Sequence, residues 1–68
     1  MNHKINIAKM IKKFRNDNKL SQNDFGKLLG VSAQAVFKWE NELCFPDITL
    51  LPSLADILGC RIDDFFEK

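Results

Sequence analysis

The stretch Gln22-Asn23-Asp24-Phe25-Gly26-Lys27-Leu28-Leu29-Gly30-Val31-Ser32-Ala33-Gln34-Ala35-Val36-Phe37-Lys38-Trp39-Glu40-Asn41 decides the fold. It reads as two short helices joined by one tight turn, with apolar or small residues wherever two crossed helices must touch. Phe25 and Leu29 lie one helical turn apart, with Leu28 beside them. Gly30 supplies a turn position open to positive φ, and Val31 tucks the turn inward. Ser32 caps the second helix, which buries Val36 and Trp39 at i and i+3 spacing. Gly26 gives steeply crossing helices the small residue they need at closest approach.

Working outward, a first helix is expected from about Asn6 to Asn18. Ile7, Ile11 and Phe14, with Met10 beside them, form one apolar stripe, and the lysines fall on the other faces. Ser21 then opens the second helix with Asp24 three residues on, a capping box in which Asp replaces the usual Glu or Gln. Pro46 prevents the third helix from running on. A fourth helix is expected from a Thr49 cap, with Pro52 in its first turn and Leu51, Leu54, Ala55 and Leu58 buried. Gly59 ends it in a left-handed cap. A fifth, short helix is expected over about Ile62 to Glu67, with Asp63 and Asp64 at the positive end of its dipole.

At 68 residues and 46% apolar content the chain makes one domain over 1–68, near the lower size limit for folding without staples. No run is long and apolar enough to span a membrane, and the start lacks a signal-peptide core. Cys44 and Cys60 are too few and too far apart for a zinc ribbon or a redox pair, so a reduced, cytoplasmic chain is expected. His3, the single histidine, sits at a terminus and suggests neither metal binding nor catalysis. With no acid/base pair, phosphate loop or metal constellation, the chain offers nothing for an enzyme and calls for no cofactor.

The net charge of +1 hides a strong polarity. Residues 1–30 carry Lys4, Lys9, Lys12, Lys13, Arg15, Lys19 and Lys27 against Asp17 and Asp24, a balance of +5. Residues 31–68 carry Lys38, Arg61 and Lys68 against seven carboxylates, a balance of −4. Such a distribution can give one face a field that attracts a phosphate backbone, and it equally suits a first helix that is simply basic and solvated.

Leu20-Ser21-Gln22, Leu28-Leu29-Gly30-Val31-Ser32, Lys38-Trp39-Glu40, Pro46-Asp47 and Leu54-Ala55-Asp56-Ile57-Leu58-Gly59, in this order and spacing, make the chain resemble the Xre/Cro-type phage repressor family from about Ile5 to Phe66. The resemblance implies an all-α, five-helix, lambda-repressor-like DNA-binding domain whose helix-turn-helix is formed by helices 2 and 3. It also implies a homodimer on a two-fold-related double-stranded DNA operator. No small-molecule effector site is expected in this chain.

The helix over about 32–41 is then the one expected in the major groove. Gln34 is the leading base reader, because its amide can give and accept together at the adenine N6/N7 edge. Lys38, one turn on, reaches guanine or a phosphate. Ala33 is short enough for close approach and contact with a thymine methyl, and Ser32 stands at the helix start. Phe37 departs from the family's small or polar residue. Three partners are open for it: a thymine methyl, a protein interface, or the loop between helices 3 and 4.

Gln22 is expected to hold a phosphate together with the amides at the helix 2 N-terminus. Asn41 resembles the family's second phosphate clamp and also suits a plain helix cap. Lys27, Lys19 and Lys13 are candidates for looser backbone contacts. The resemblance pairs Arg15 with Glu40, fixing the tilt of the recognition helix and aiming the arginine at a phosphate. Glu42 stands where the family often has Gly, so that turn is expected to differ or to be mobile. Arg61 replaces a Ser/Thr cap and should weaken the last helix. Phe65, Phe66, Ile62 and Leu43 are the apolar side chains available for a dimer, with core filling expected first for Ile62 and Phe65. A second reading uses the same fold for protein contact, as in an antitoxin- or anti-regulator-like module. The low net charge, Ala33 and Phe37 favour it.

Overall fold

The computed structural model describes residues 4–67, with side chains described for 5–66, so His3 lies outside the described residues. Four α-helices dominate: α1 (Ile7–Asn18), α2 (Gln22–Leu29), α3 (Ala33–Glu40) and α4 (Leu51–Leu58). The all-α class holds, with refinements at both ends of the chain. The fifth helix is a single 3-10 segment, Ile62–Phe65, and it gives way to a two-residue strand, β2 (Phe66–Glu67). That strand pairs antiparallel with β1 (Lys4–Ile5), setting Lys4 opposite Glu67 and Ile5 opposite Phe66. Alternation over two residues is too short to read as a strand, so this closure was invisible in the pattern.

The start of α4 also differs from the expected Thr49 cap. Asp47 accepts from the Thr49 amide at 3.3 Å and opens a 3-10 turn, Ile48–Leu50, which feeds directly into α4. The aspartate's short carboxylate reaches an amide two residues on, and so takes the role expected of the threonine. At the last helical segment Arg61 carries no acceptor, yet the Asp64 carboxylate takes the Arg61 amide at 2.9 Å. One half of a capping box therefore survives there.

Ile7, Ile11, Phe25, Val36, Trp39, Leu54, Ala55 and Phe65 form one buried cluster, so every helix contributes to the core. Met10, Phe14 and Leu29 pack against it, and Phe14 meets Phe25 edge-on at 5.9 Å between ring centres. Two expectations fail here. Leu28 is 56% exposed on the outer side of α2, because Phe25, Gly26 and Leu29 take the inner arc. Ile62 is 39% exposed and stays outside the core, whose position at that end goes to Phe65.

Glu42 does adopt a left-handed conformation, with φ 57°. The turn keeps its shape because the Glu42 amide donates to the Trp39 carbonyl at 3.2 Å and the Leu43 amide to Lys38 at 2.9 Å. These bonds satisfy the last carbonyls of α3 and hold a glutamate where a glycine would sit without strain. Glu42→Gly should therefore raise stability by about 0.5–1 kcal/mol, the relieved strain exceeding the added chain entropy. Urea unfolding checks this, and an unchanged or lower midpoint counts against strain at this turn. Lys19, at φ 54°, closes α1 in the same conformation, with its amide and that of Leu20 turned back to the last carbonyls of the helix.

Candidate nucleic-acid interface

The geometry of α2, the turn and α3 is fixed by short-range bonds that the sequence spells out. The Asp24 amide donates to Ser21 Oγ at 2.9 Å, and the Ser21 amide donates to Asp24 Oδ2 at 3.2 Å. The Ser21 amide and hydroxyl hold the Asp24 carboxyl below the usual carboxylate range. Gly30, at φ 82°, and Val31 both send their amides back to the Gly26 carbonyl at 2.8 Å. Ser32 Oγ then accepts from the Ala35 amide at 3.1 Å and starts α3 in a new direction.

Gly26 has a more specific role than a small residue between crossing helices. A Cβ built on it would lie 2.5 Å from the Val31 carbonyl oxygen and 3.3 Å from the Ser32 backbone. The turn backbone itself, rather than a side chain of α3, occupies the space.

A polar network locks α3 to the rest of the domain. Arg15 Nη2 donates to Glu40 Oε1 at 2.8 Å, and Nε donates to Oε2, so the contact is bidentate. Arg15 Nη1 donates to the Leu20 carbonyl at 2.9 Å, tying the same guanidinium to the α1–α2 connection. Gln22 Nε2 reaches Glu40 Oε1 at 3.3 Å. Glu40 is the one buried charged residue among those described, 4% exposed. Burial works to raise its pKa, but the hydrogen bonds from Arg15 and Gln22 and the charges of Arg15 and Lys12 outweigh that. The carboxyl is held below its ordinary range, and the hydrogen bond to Glu40 raises Arg15 in turn.

This network gives two of the expected phosphate residues bonds inside the protein. Gln22, at the start of α2, is half-buried and donates one amide hydrogen to Glu40. The Arg15 side chain, only 18% exposed, turns three of its donors into the protein. The Arg15–Glu40 pair is the one that the family resemblance implied, whereas the Gln22 bond, between residues 18 apart, had no signal in the local pattern.

The outer side of α3 presents Gln34, Phe37 and Lys38, all exposed, with Ser32 exposed at its start. Ala33 is half-buried and so less outward than expected. Val36 and Trp39 face the core, as their spacing requires. Asn41 is exposed and caps the helix through Nδ2, which donates to the Phe37 carbonyl at 2.8 Å. That leaves its amide oxygen available. Lys27 is exposed in the last turn of α2. Lys13 pairs with Asp17 at 2.9 Å on the surface of α1, a contact of little energetic weight.

Both cysteines are free, Cys44 exposed and Cys60 packed against the core, where burial and then the Asp64 charge push its thiol up. No helix among the described residues is long and apolar enough to cross a membrane.

A helix-turn-helix family model matches residues 11–65, which take in α2, the turn and α3 together with the Arg15–Glu40 pair. The chain belongs to the Xre/Cro-type helix-turn-helix family. A crystal structure of the P22 c2 repressor with a synthetic operator is 30% identical, with a TM-score of 0.78 over 87% of this chain and 89% of that one. A transcriptional regulator from Listeria innocua shares the fold at a TM-score of 0.79 and 23% identity, over 96% of this chain and 59% of the other. Hydroxypropylphosphonic acid epoxidase from S. wedmorenis matches at a TM-score of 0.70 and 27% identity; 96% of this helix-turn-helix chain covers only 35% of that enzyme. No curated protein matches this sequence.

Proposed function

We propose that this protein is a small transcriptional regulator, a repressor, that binds double-stranded DNA in a sequence-specific manner with α3 in the major groove. The observation that carries the reading is the outer face of α3. Gln34 and Lys38 stand exposed on a helix whose opposite side is locked by the bidentate Arg15–Glu40 contact. Similarity to a repressor solved with its operator supports the same partner. Ser32, Ala33, Gln34, Phe37 and Lys38 form the base-reading surface. Gln22, Lys27 and Asn41 serve the phosphates, and Arg15 contributes by positioning Gln22 and α3 through Glu40. The chain acts without catalysis.

One such domain makes few base contacts, so the reading includes a homodimer spanning two half-sites about 34 Å apart. The apolar surface available for it comprises Leu43 at 68% exposed, Phe45, Ile48 at 76%, Ile62 and Phe66. Those same side chains are the observation that favours the second reading, a helix-turn-helix used to hold another protein.

Selecting bound sites from a random duplex library separates the two readings and reports half-site spacing directly. A dimer with six to ten phosphate contacts should lose about 10³–10⁵ in affinity between about 50 and 200 mM salt. Gln34→Ala should relax preference at one base pair by about 1–3 kcal/mol while leaving the fold intact. Absence of duplex binding even at the lower salt, together with tight capture of one defined protein, would establish the second reading.

A further inference from the structure

The exposed face of α3 divides into two rows. Gln34 and Lys38, at i and i+4, form a polar row. Half-buried Ala33 and exposed Phe37, also at i and i+4 and displaced by one position, form an apolar row at its edge. Phe37 is 47% exposed, the one large apolar side chain on this side of α3 that stays open to solvent. Its carbonyl is fully used, accepting from the Asn41 amide at 3.1 Å and from Asn41 Nδ2 at 2.8 Å, so its backbone is pinned beneath a side chain that is about half open to solvent. A phenyl ring offers no donor or acceptor and cannot take part in hydrogen-bond readout. The one apolar group that projects into the major groove is the C5-methyl of thymine, and phenylalanine is a side chain suited to it. That methyl lies beside the adenine N6/N7 edge within an A·T pair, as the apolar row of α3 lies beside Gln34.

Resting on the DNA-binding reading above, we infer that Phe37, with Ala33 at its foot, is a specificity determinant that reads the C5-methyl group of a pyrimidine next to the base held by Gln34. The recognised feature is the methyl and not the base-pair hydrogen bonds. Thymine and 5-methylcytosine are therefore accepted at that position, whereas uracil and unmodified cytosine are discriminated against. A position that senses methylation makes the affinity of this protein for cytosine-containing sites depend on their modification state.

The test uses the duplex selected from the random library. Each thymine is replaced in turn by deoxyuridine, which removes one methyl and changes no hydrogen bond. At one position per half-site affinity should fall about fourfold per methyl removed, the size expected for one buried methyl. Substituting 5-methylcytosine, with guanine opposite, at the same position should bind better than cytosine by a similar factor. Phe37→Ala, at an exposed site, should keep the thermal transition and bind the thymine and deoxyuridine duplexes equally. Equal binding of the thymine and deoxyuridine duplexes by the parent protein overturns the inference while leaving DNA binding intact. So does a thymine preference that survives Phe37→Ala. If no duplex is bound at all, the DNA-binding reading has failed and this inference with it.

Discussion

Arg15→Ala is expected to cost about 3–5 kcal/mol of folding stability, because it leaves the buried Glu40 carboxylate with only the longer Gln22 contact. A 68-residue domain of this kind has about 3–10 kcal/mol to lose, so the variant forfeits a large share of its stability and should unfold at a much lower urea concentration than the parent. Lys12→Ala, on the exposed side of α1, is the control and should stay within about 0.5 kcal/mol of the parent. Arg15→Lys should fall between them, since an ammonium keeps the charge but cannot form the bidentate contact or reach Leu20 at the same time. Urea titrations of the three variants decide the matter, and equal small shifts for Arg15→Ala and Lys12→Ala would refute a stabilising pair. The same carboxylate sets an acid limit. Its folded pKa lies below its unfolded value, so its contribution is complete above the ordinary glutamate range and disappears as pH falls through the depressed folded value. The parent should therefore lose stability below about pH 4.5, and Glu40→Gln should flatten that part of the profile.

Gly26→Ala should be the most disruptive single-methyl change in the helix-turn-helix. In an ordinary helix interior the substitution would help by about 1 kcal/mol. Here the added carbon meets the Val31 carbonyl oxygen at 2.5 Å, and that oxygen belongs to backbone that cannot rotate away. Relief requires moving the turn and, with it, the start of α3. We expect a net loss of at least about 2 kcal/mol. Gly30→Ala supplies the comparison, because nothing lies within 4 Å of its missing Cβ and only its φ of 82° opposes a side chain. Its loss should be nearer 1 kcal/mol, the strain of one left-handed residue. If the two variants melt together, the close approach at Gly26 has no special weight.

The parts of this molecule that were legible in the sequence are those settled by neighbours in the chain. The Ser21–Asp24 box, the Ser32 cap and the left-handed Gly30 and Gly59 depend on residues a few positions apart, and each appears where its spacing puts it. The outward placement of Gln34 and Lys38 follows from the same helical period. Leu28 was misplaced because two adjacent leucines fit the period almost equally, and only the actual direction of the core separates them. Gln22 shows the opposite difficulty. Its position at the start of α2 suggested a phosphate contact, and the structure adds a bond from its amide to a buried carboxylate across the fold that the position alone did not announce. Long-range polar bonds leave no periodic trace in sequence. The departure of Glu42 from glycine was visible, but its outcome was not, since the amide bonds that hold the turn tolerate the strain. At the last segment, Asp64 partly replaces the missing Ser/Thr cap by the other arm of the box.

Lys4–Ile5 and Phe66–Glu67 run side by side, so the polypeptide enters and leaves the domain through a single doorway. A module with that layout can be spliced into a surface loop of a host protein without prising the host's strands apart, needing only a few linking residues on each side. The residues facing DNA in our reading would be carried along unchanged, because none of them lies in the hinge thus formed.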